Sequence, residues 1–246
     1  IDSSNIVTSI SVAFVKKIDN NGNLMWTKYY SFPDAFGLYF NKIIRSADSN
    51  FVIVGGIDYG FGVGPTLEDV FICKIDPMGN LLWFKRNYGG VGSDKAFDVI
   101  EHSNGDLSVY CAYGKEVNLS IYNSYQIIKT NSIGDSLWIK HYYNFDEVEQ
   151  FPTKFNLTSD NGYILVGSCT NPNGRSNSLL IKTDLQGDTL WVRKMNTEIY
   201  SELVGVKANP GNISVFGNMD SSFNNFKPFI ANYSNSGVLN WQHFLD

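Results

Sequence analysis

Five tryptophans constrain this chain more than any other feature. Trp26, Trp83, Trp138, Trp191 and Trp241 are spaced by 57, 55, 53 and 50 residues and are all the tryptophans in its 246 residues. Each stands four residues after a glycine: Gly22, Gly79, Gly134, Gly187 and Gly237. Three residues before each glycine stands Asp19, Asp76, Asn131, Asp184 or Ser234. A period of this length marks stacked supersecondary units that bury their apolar faces against one another. Locally the motif reads as a β-hairpin. Runs such as Val70–Ile75 and Leu179–Lys182 have strand-like branched and aromatic content. Asp or Asn turns the chain by bonding its own backbone, and Gly supplies the positive φ. The second strand then carries an indole out to a neighbouring unit.

A second hairpin alternates with the first. Its marks are Asp48–Gly55, Asn104–Cys111, Asp160–Gly167 and Pro210–Gly217, each preceded by a short apolar stretch. Each unit then reads as four antiparallel strands with turn signals every 8–12 residues and no helix, the pattern of a propeller blade. The expected fold is all-β: one β-propeller domain over 1–246, with about five four-stranded units near 1–30, 31–87, 88–142, 143–195 and 196–246. The tryptophan hairpin occurs five times and the other hairpin four times, so the first unit is expected to be incomplete.

Composition narrows the function classes. The net charge of −5 argues against nucleic acid, whose phosphates need a concentrated basic face. No apolar run approaches membrane-spanning length. Charged residues are 17%, and in their place stand 22 Gly, 27 Asn, 14 Tyr and 17 Phe. The three cysteines, Cys73, Cys111 and Cys169, lie in apolar runs without C-x-x-C spacing and are expected to be buried thiols. The opening Ile1-Asp2-Ser3-Ser4 carries neither an initiator Met nor a signal segment, which suggests a mature or trimmed chain.

The D-x-x-G-x-x-x-W pattern resembles the tryptophan-docking motif of quinoprotein-like propellers. The fuller pattern resembles the secreted propeller repeats of Bacteroidota surface proteins. The matching residues are Tyr88-Gly89-Gly90, Asp94, Ala96, Lys74, Asp76, Gly79 and Trp83, together with Asp160, Gly162, Tyr163 and Ile164. The resemblance runs from about Phe14 to Trp241 and implies a secreted or cell-surface setting and type IX export. In these families the motif residues are structural, so it implies no active site and no cofactor.

Candidate chemistry is sparse. Lys17, Lys74, Lys129 and Lys182 precede the motif glycine by five residues; Lys28, Lys85, Lys140, Arg193 and His243 follow each Trp by two. They read either as a cationic ring for an anionic polymer or as stems covering the aromatics with their charges in water, and the second reading suits a negative chain better. His102, His141 and His243 fall in different units with no metal spacing, and the D-x-x-G turns place Gly too early for a calcium loop. No metal and no catalytic residue is expected. The places where repeats differ carry more information. Links from second to third strands include Ile57–Asp69, with Tyr59 and Phe61; an opposing set includes Tyr29–Asp34 and Tyr142–Glu147, with Tyr142 and Tyr143. Tyr59, Phe61, Tyr142 and Tyr143 are the candidate ligand contacts, because Tyr- and Asn-rich loops suit adaptable recognition and sugar stacking.

The expectation from sequence is a non-catalytic extracellular interaction or scaffold propeller whose partners are other surface proteins, extracellular glycans or further repeats of the same polypeptide. The alternative is a carbohydrate-binding propeller or part of a glycan-processing enzyme. A third class, a hydrolase, needs acids such as Glu68, Asp69, Asp146 and Glu149 to converge from several units.

Overall fold

The computed structural model describes residues 11–33, 35–59, 68–86, 88, 92–117, 120–143, 149–171, 173–195, 200–220 and 226–245, apart from the side chains of 115–121. Phe61, Gly89, Gly90, Asp146 and residues 1–10 lie outside them.

The all-β expectation holds, and no described residue is helical. A two-stranded sheet comes first, with β1 (Ala13–Ile18) paired to β2 (Leu24–Tyr30). The second unit is β3 (Gly37–Arg45), β4 (Phe51–Asp58), β5 (Glu68–Ile75) and β6 (Leu81–Arg86), antiparallel in chain order. The third is β7 (Lys95–Glu101), β8 (Leu107–Val117), β9 (Ser120–Thr130) and β10 (Ser136–Tyr142). The fourth runs β11 (Glu149–Thr158), β12 (Gly162–Thr170), β13 (Ser176–Asp184), β14 (Thr189–Met195). The fifth is β15 (Tyr200–Asn209), β16 (Asn212–Asp220), β17 (Phe226–Ser234) and β18 (Leu239–Phe244). A single parallel bridge, Ser176 to Tyr200, joins the last two units.

The turns form for the reasons their residues suggest. Asp19 Oδ1 accepts the N–H groups of Asn21 and Asn23 at 2.9 and 2.8 Å, and Asp76 repeats the pattern on Met78 and Asn80. The motif glycines all have φ between 78° and 85°, a region costly for any side chain with a Cβ.

The core is divided among the junctions between units. One cluster joins Ala13 of the first to Leu38, Ile53 and Phe71 of the second; another joins Val52, Val54 and Ile72 to Ala96, Val99 and Val109 of the third. Tyr110, Tyr125 and Ile127 then meet Tyr163, Leu165 and Leu179, and finally Ile164, Val166 and Leu180 meet Leu203, Ile213 and Val215. Middle strands of inner units are therefore buried on both faces: β4 and β12 are buried almost throughout, whereas β16 alternates.

Each indole docks on the next unit's turn. A Cβ built on Gly79, Gly134, Gly187 or Gly237 would lie 2.9–3.1 Å from the ring of Trp26, Trp83, Trp138 or Trp191 respectively. Only glycine leaves room for that approach. Polar contacts repeat with the indoles. Tyr30 OH and Tyr142 OH donate to the Gly79 and Gly187 carbonyls at 2.9 Å, and Tyr88 OH donates to that of Gly134. In the fourth junction Arg193 Nε takes this place on Gly237 at 2.8 Å, and Trp191 Nε1 donates to the Asn235 carbonyl at 2.9 Å. The lysines after each Trp reach the residue after the next glycine: Lys28 to Asn80 at 3.3 Å, Lys85 to Asp135 at 2.7 Å, Lys140 to Asp188 at 2.6 Å.

In the other lysine series Lys17 is half-buried and donates to the Pro77 carbonyl at 3.1 Å, but the remaining three depart from expectation. Lys74, Lys129 and Lys182 are buried and do not hold their charges in open water. Their ammonium groups meet Asp48 at 2.7 Å, Asp106 at 3.9 Å and Asp160 at 3.0 Å. Those acids sit at the turn between the first two strands of the same unit, so each pair ties its inner hairpin to its outer one. The three cysteines are free and buried, and burial pushes Cys73 up to about 12.

Candidate functional site

An antiparallel four-strand meander places its connections at two ends. All the D-x-x-G turns and first-to-second-strand turns lie at one end. The second-to-third-strand links and the links between units lie together at the other. The two loop sets expected to oppose each other therefore share one end, and hydrogen bonds between them show it: Asp94 N–H donates to the Glu68 carbonyl at 2.8 Å, and Phe36 N–H to that of Asp58 at 2.7 Å.

The polar and aromatic groups of this end concentrate around the second and third units. Glu68 opens β5; its carboxylate meets Lys95 Nζ at 2.8 Å and accepts a hydrogen bond from Ser93 Oγ. Lys95 opens β7 and sits 5.9 Å from the ring centroid of Tyr39 on β3. Asp94 is wholly buried and accepts the Gly114 N–H at 2.6 Å. Beside it three rings form a cluster: Tyr113 to His141 at 4.2 Å between centroids, His141 to Tyr143 at 5.7 Å and near parallel, Tyr113 to Tyr143 at 6.4 Å. His141 is exposed and the two tyrosines half-buried. Burial raises the Tyr143 phenol to about 12, so it acts as a neutral hydrogen-bonding ring.

Further along the inner strands, Asp98 of β7 is buried between cations from both neighbouring units, Lys42 at 3.4 Å and Lys154 at 3.9 Å. In the fifth unit Tyr200 OH donates to Glu202 at 2.7 Å, and Asn218 donates to the other oxygen at 3.1 Å. Chemically this end offers ring faces for stacking, carboxylates that accept hydroxyl hydrogen bonds, and a lysine beside them. The Glu68 and Asp98 carboxylates each face an ammonium partner, Lys95 at 2.8 Å and Lys42 at 3.4 Å.

The sequence candidates divide accordingly. Tyr143 joins the ring cluster. Tyr142 does not reach this surface, because it is buried and its hydroxyl docks on Gly187. Tyr59 is half-buried against the first junction, with the Arg86 guanidinium 5.6 Å from its ring. Phe61 lies outside the described residues. Glu68 and Asp69, consecutive on β5, point to opposite sheet faces; burial raises the Asp69 carboxyl, with Arg86 opposing. Glu149 opens β11 opposite Thr170, and Asp146 lies outside the described residues. His102 is internal, with Nε2 at 2.8 Å from Ser108 Oγ, and is held below its usual pKa by burial and by Lys129. Among the described residues no group of three His, Cys, Asp or Glu side chains could hold a metal. Tyr113, His141, Ser93 and Lys95 were not singled out as a site, because they come from three strands and a link that meet only in the fold. The signal within reach was that Asp94 stands at the acidic position of the repeat.

No family model matches the chain, and no curated protein matches it. Solved structures do. The Hadza microbial sialidase Hz136 aligns at a TM-score of 0.52 and 7% identity, over 83% of this chain and 57% of its own. An exo-β-1,3-galactanase from Phanerochaete chrysosporium aligns at 0.46 and 13% identity, over 92% of this chain and 52% of its own, too distantly to carry an argument. The chain thus spans little more than half the length of either. The likeness to the sialidase is one of fold. It corrects the expectation of a non-catalytic interaction or scaffold module, since the solved structure sharing the fold is an enzyme. Among the described residues no helix is long and apolar enough to cross a membrane.

Proposed function

We propose that this chain is the sugar-binding part of a glycan-processing β-propeller. The observation that carries the reading is the ring cluster Tyr113, His141 and Tyr143, set beside the buried Asp94 at the end of the sheets where the links gather. Sugar rings present apolar C–H faces to aromatic rings and hydroxyls to carboxylates, and this end supplies both partners. The fold likeness to a sialidase supports the same reading. The five-unit propeller count and a secreted or cell-surface setting of the Bacteroidota type belong to this proposal, on the strength of the repeat pattern. Glu68 of the second unit and Lys95 of the third, paired at 2.8 Å, add a charged group next to Asp94 at the same end.

Thermal unfolding in the presence of a panel of soluble oligo- and polysaccharides tests the reading, since a ligand of the native state raises the midpoint. At least one glycan should raise it, and Tyr143→Ala should abolish the rise while leaving the unliganded midpoint nearly unchanged. A panel of neutral, acidic and basic glycans that moves nothing overturns the reading.

A further inference from the structure

Four docking junctions are made in this chain, and the same signature occurs five times. One indole and one glycine are left over. Trp241 is 43% exposed, whereas the other four indoles are half-buried on the following glycine. Gly22 has φ +85°, as its counterparts do, yet a Cβ built there meets nothing within 4 Å. The outer face of the fifth unit is open to match: Phe216 is 48% exposed at the position where Val166 of the fourth unit is fully buried against its neighbour. His243 stands where Lys28, Lys85, Lys140 and Arg193 reach across, and its ring lies 5.2 Å from that of Trp241. On the other side Asn23 occupies the position of Asn80, Asp135 and Asp188, which receive those basic groups.

We propose that Trp241 and Gly22 are the two halves of an unmade docking junction, and that the occupant is a further blade of the same Gly/Trp type joined in cis. That blade presents a left-handed glycine turn to Trp241. At the opposite end a blade presents an indole to the Gly22 turn. The occupant's chemistry follows from four internal precedents: the turn must carry glycine, because a side chain would collide with the indole, and an acceptor oxygen must face His243. That oxygen comes from the Asn or Asp after the glycine, as in three junctions, or from the glycine carbonyl, as in the fourth. Its linkage in cis follows from the same precedents, since every junction in the chain is made between repeats adjacent in sequence.

The test extends the full chain by a tandem second copy of residues 196–246, which keeps the natural link between repeats. Iodide quenching attributable to Trp241, read as the difference from a Trp241→Phe variant, should largely disappear in the extended chain. It should return when the appended copy carries Gly237→Asn, because Asn tolerates the left-handed turn but fills the space the indole needs. Quenching that is unchanged by the extension overturns the proposal. So does head-to-tail association of the unextended chain in sedimentation that Trp241→Ala abolishes, because the occupant is then a second copy.

Discussion

At the residue scale, the buried lysines carry the most information about how a unit holds together. Lys129 lies on the inner strand β9 with Asp106 at 3.9 Å and His102 within electrostatic reach, and burial lowers it to about 8, Asp106 offsetting part of the cost. A lysine whose folded pKa is depressed favours the neutral form in the native state. The unfolded chain therefore binds more protons between pH 8 and 10, and stability rises with pH across that window. After allowance for solvent near the ammonium, the rise is about 1–2 kcal/mol. The unfolding free energy of the protein minus that of Lys129→Met should therefore grow by that amount from pH 7.5 to 9.5, because the buried thiols Cys73 and Cys111, raised by burial, oppose the rise equally in both proteins. Buried tyrosines such as Tyr110 and Tyr125, raised well above their usual range by burial, act in the opposite sense above about pH 10, so the comparison with the Met variant isolates the lysine. The sequence places a lysine at this position in four of the five units, with Asn232 in the fifth, but carries no sign that three of them are buried. Their partners Asp48, Asp106 and Asp160 stand 22 to 26 residues away, on another turn, and only strand pairing brings them opposite.

At the element scale, the outer hairpin was legible from its own residues, because Asp, Gly and the branched runs specify a turn and two strands locally. The junction it makes was legible only in outline, since the pairing of each Trp with the following glycine is a property of two units. That pairing yields a graded prediction. Gly79→Ala and Gly22→Ala share the same left-handed backbone penalty, but a Cβ at Gly79 would sit 2.6 Å from Lys28 Cγ and 3.0 Å from the Trp26 ring, and one at Gly22 meets nothing. Gly79→Ala should cost about 1–3 kcal/mol more in urea unfolding, as overpacking does. Trp138→Ala should likewise cost about 2–4 kcal/mol, since it empties a packed junction, whereas Trp241→Ala should stay within about 0.5 kcal/mol. Equal costs at inner and terminal positions would mean that the indoles act within their own units. The orientation of the loops was misread at this scale for a simple reason. Both kinds of link follow an even number of strands, so both fall at the same end, and that parity decides where a binding face can form.

At the scale of the whole molecule, four junctions of similar construction make stability a sum over neighbours, and the proposed sugar-binding face falls at the end where the links gather. The ring cluster draws on β8, β10 and the segment after β10, with Asp94 arriving from the link before β7. Tyr143 could be named from sequence because Tyr-rich links suit recognition. Its neighbours Tyr113 and His141 could not, because nothing in their local sequence separates a strand residue facing the ligand end from one facing a neighbouring sheet. The decisive measurement is a calorimetric titration of the protein with the glycan that most raises its unfolding midpoint, repeated on Tyr143→Ala. The account predicts saturable one-site binding that weakens about tenfold or more in the variant, a loss of about 1.4 kcal/mol. Binding of equal strength in both proteins, or no heat of binding at all, would contradict it.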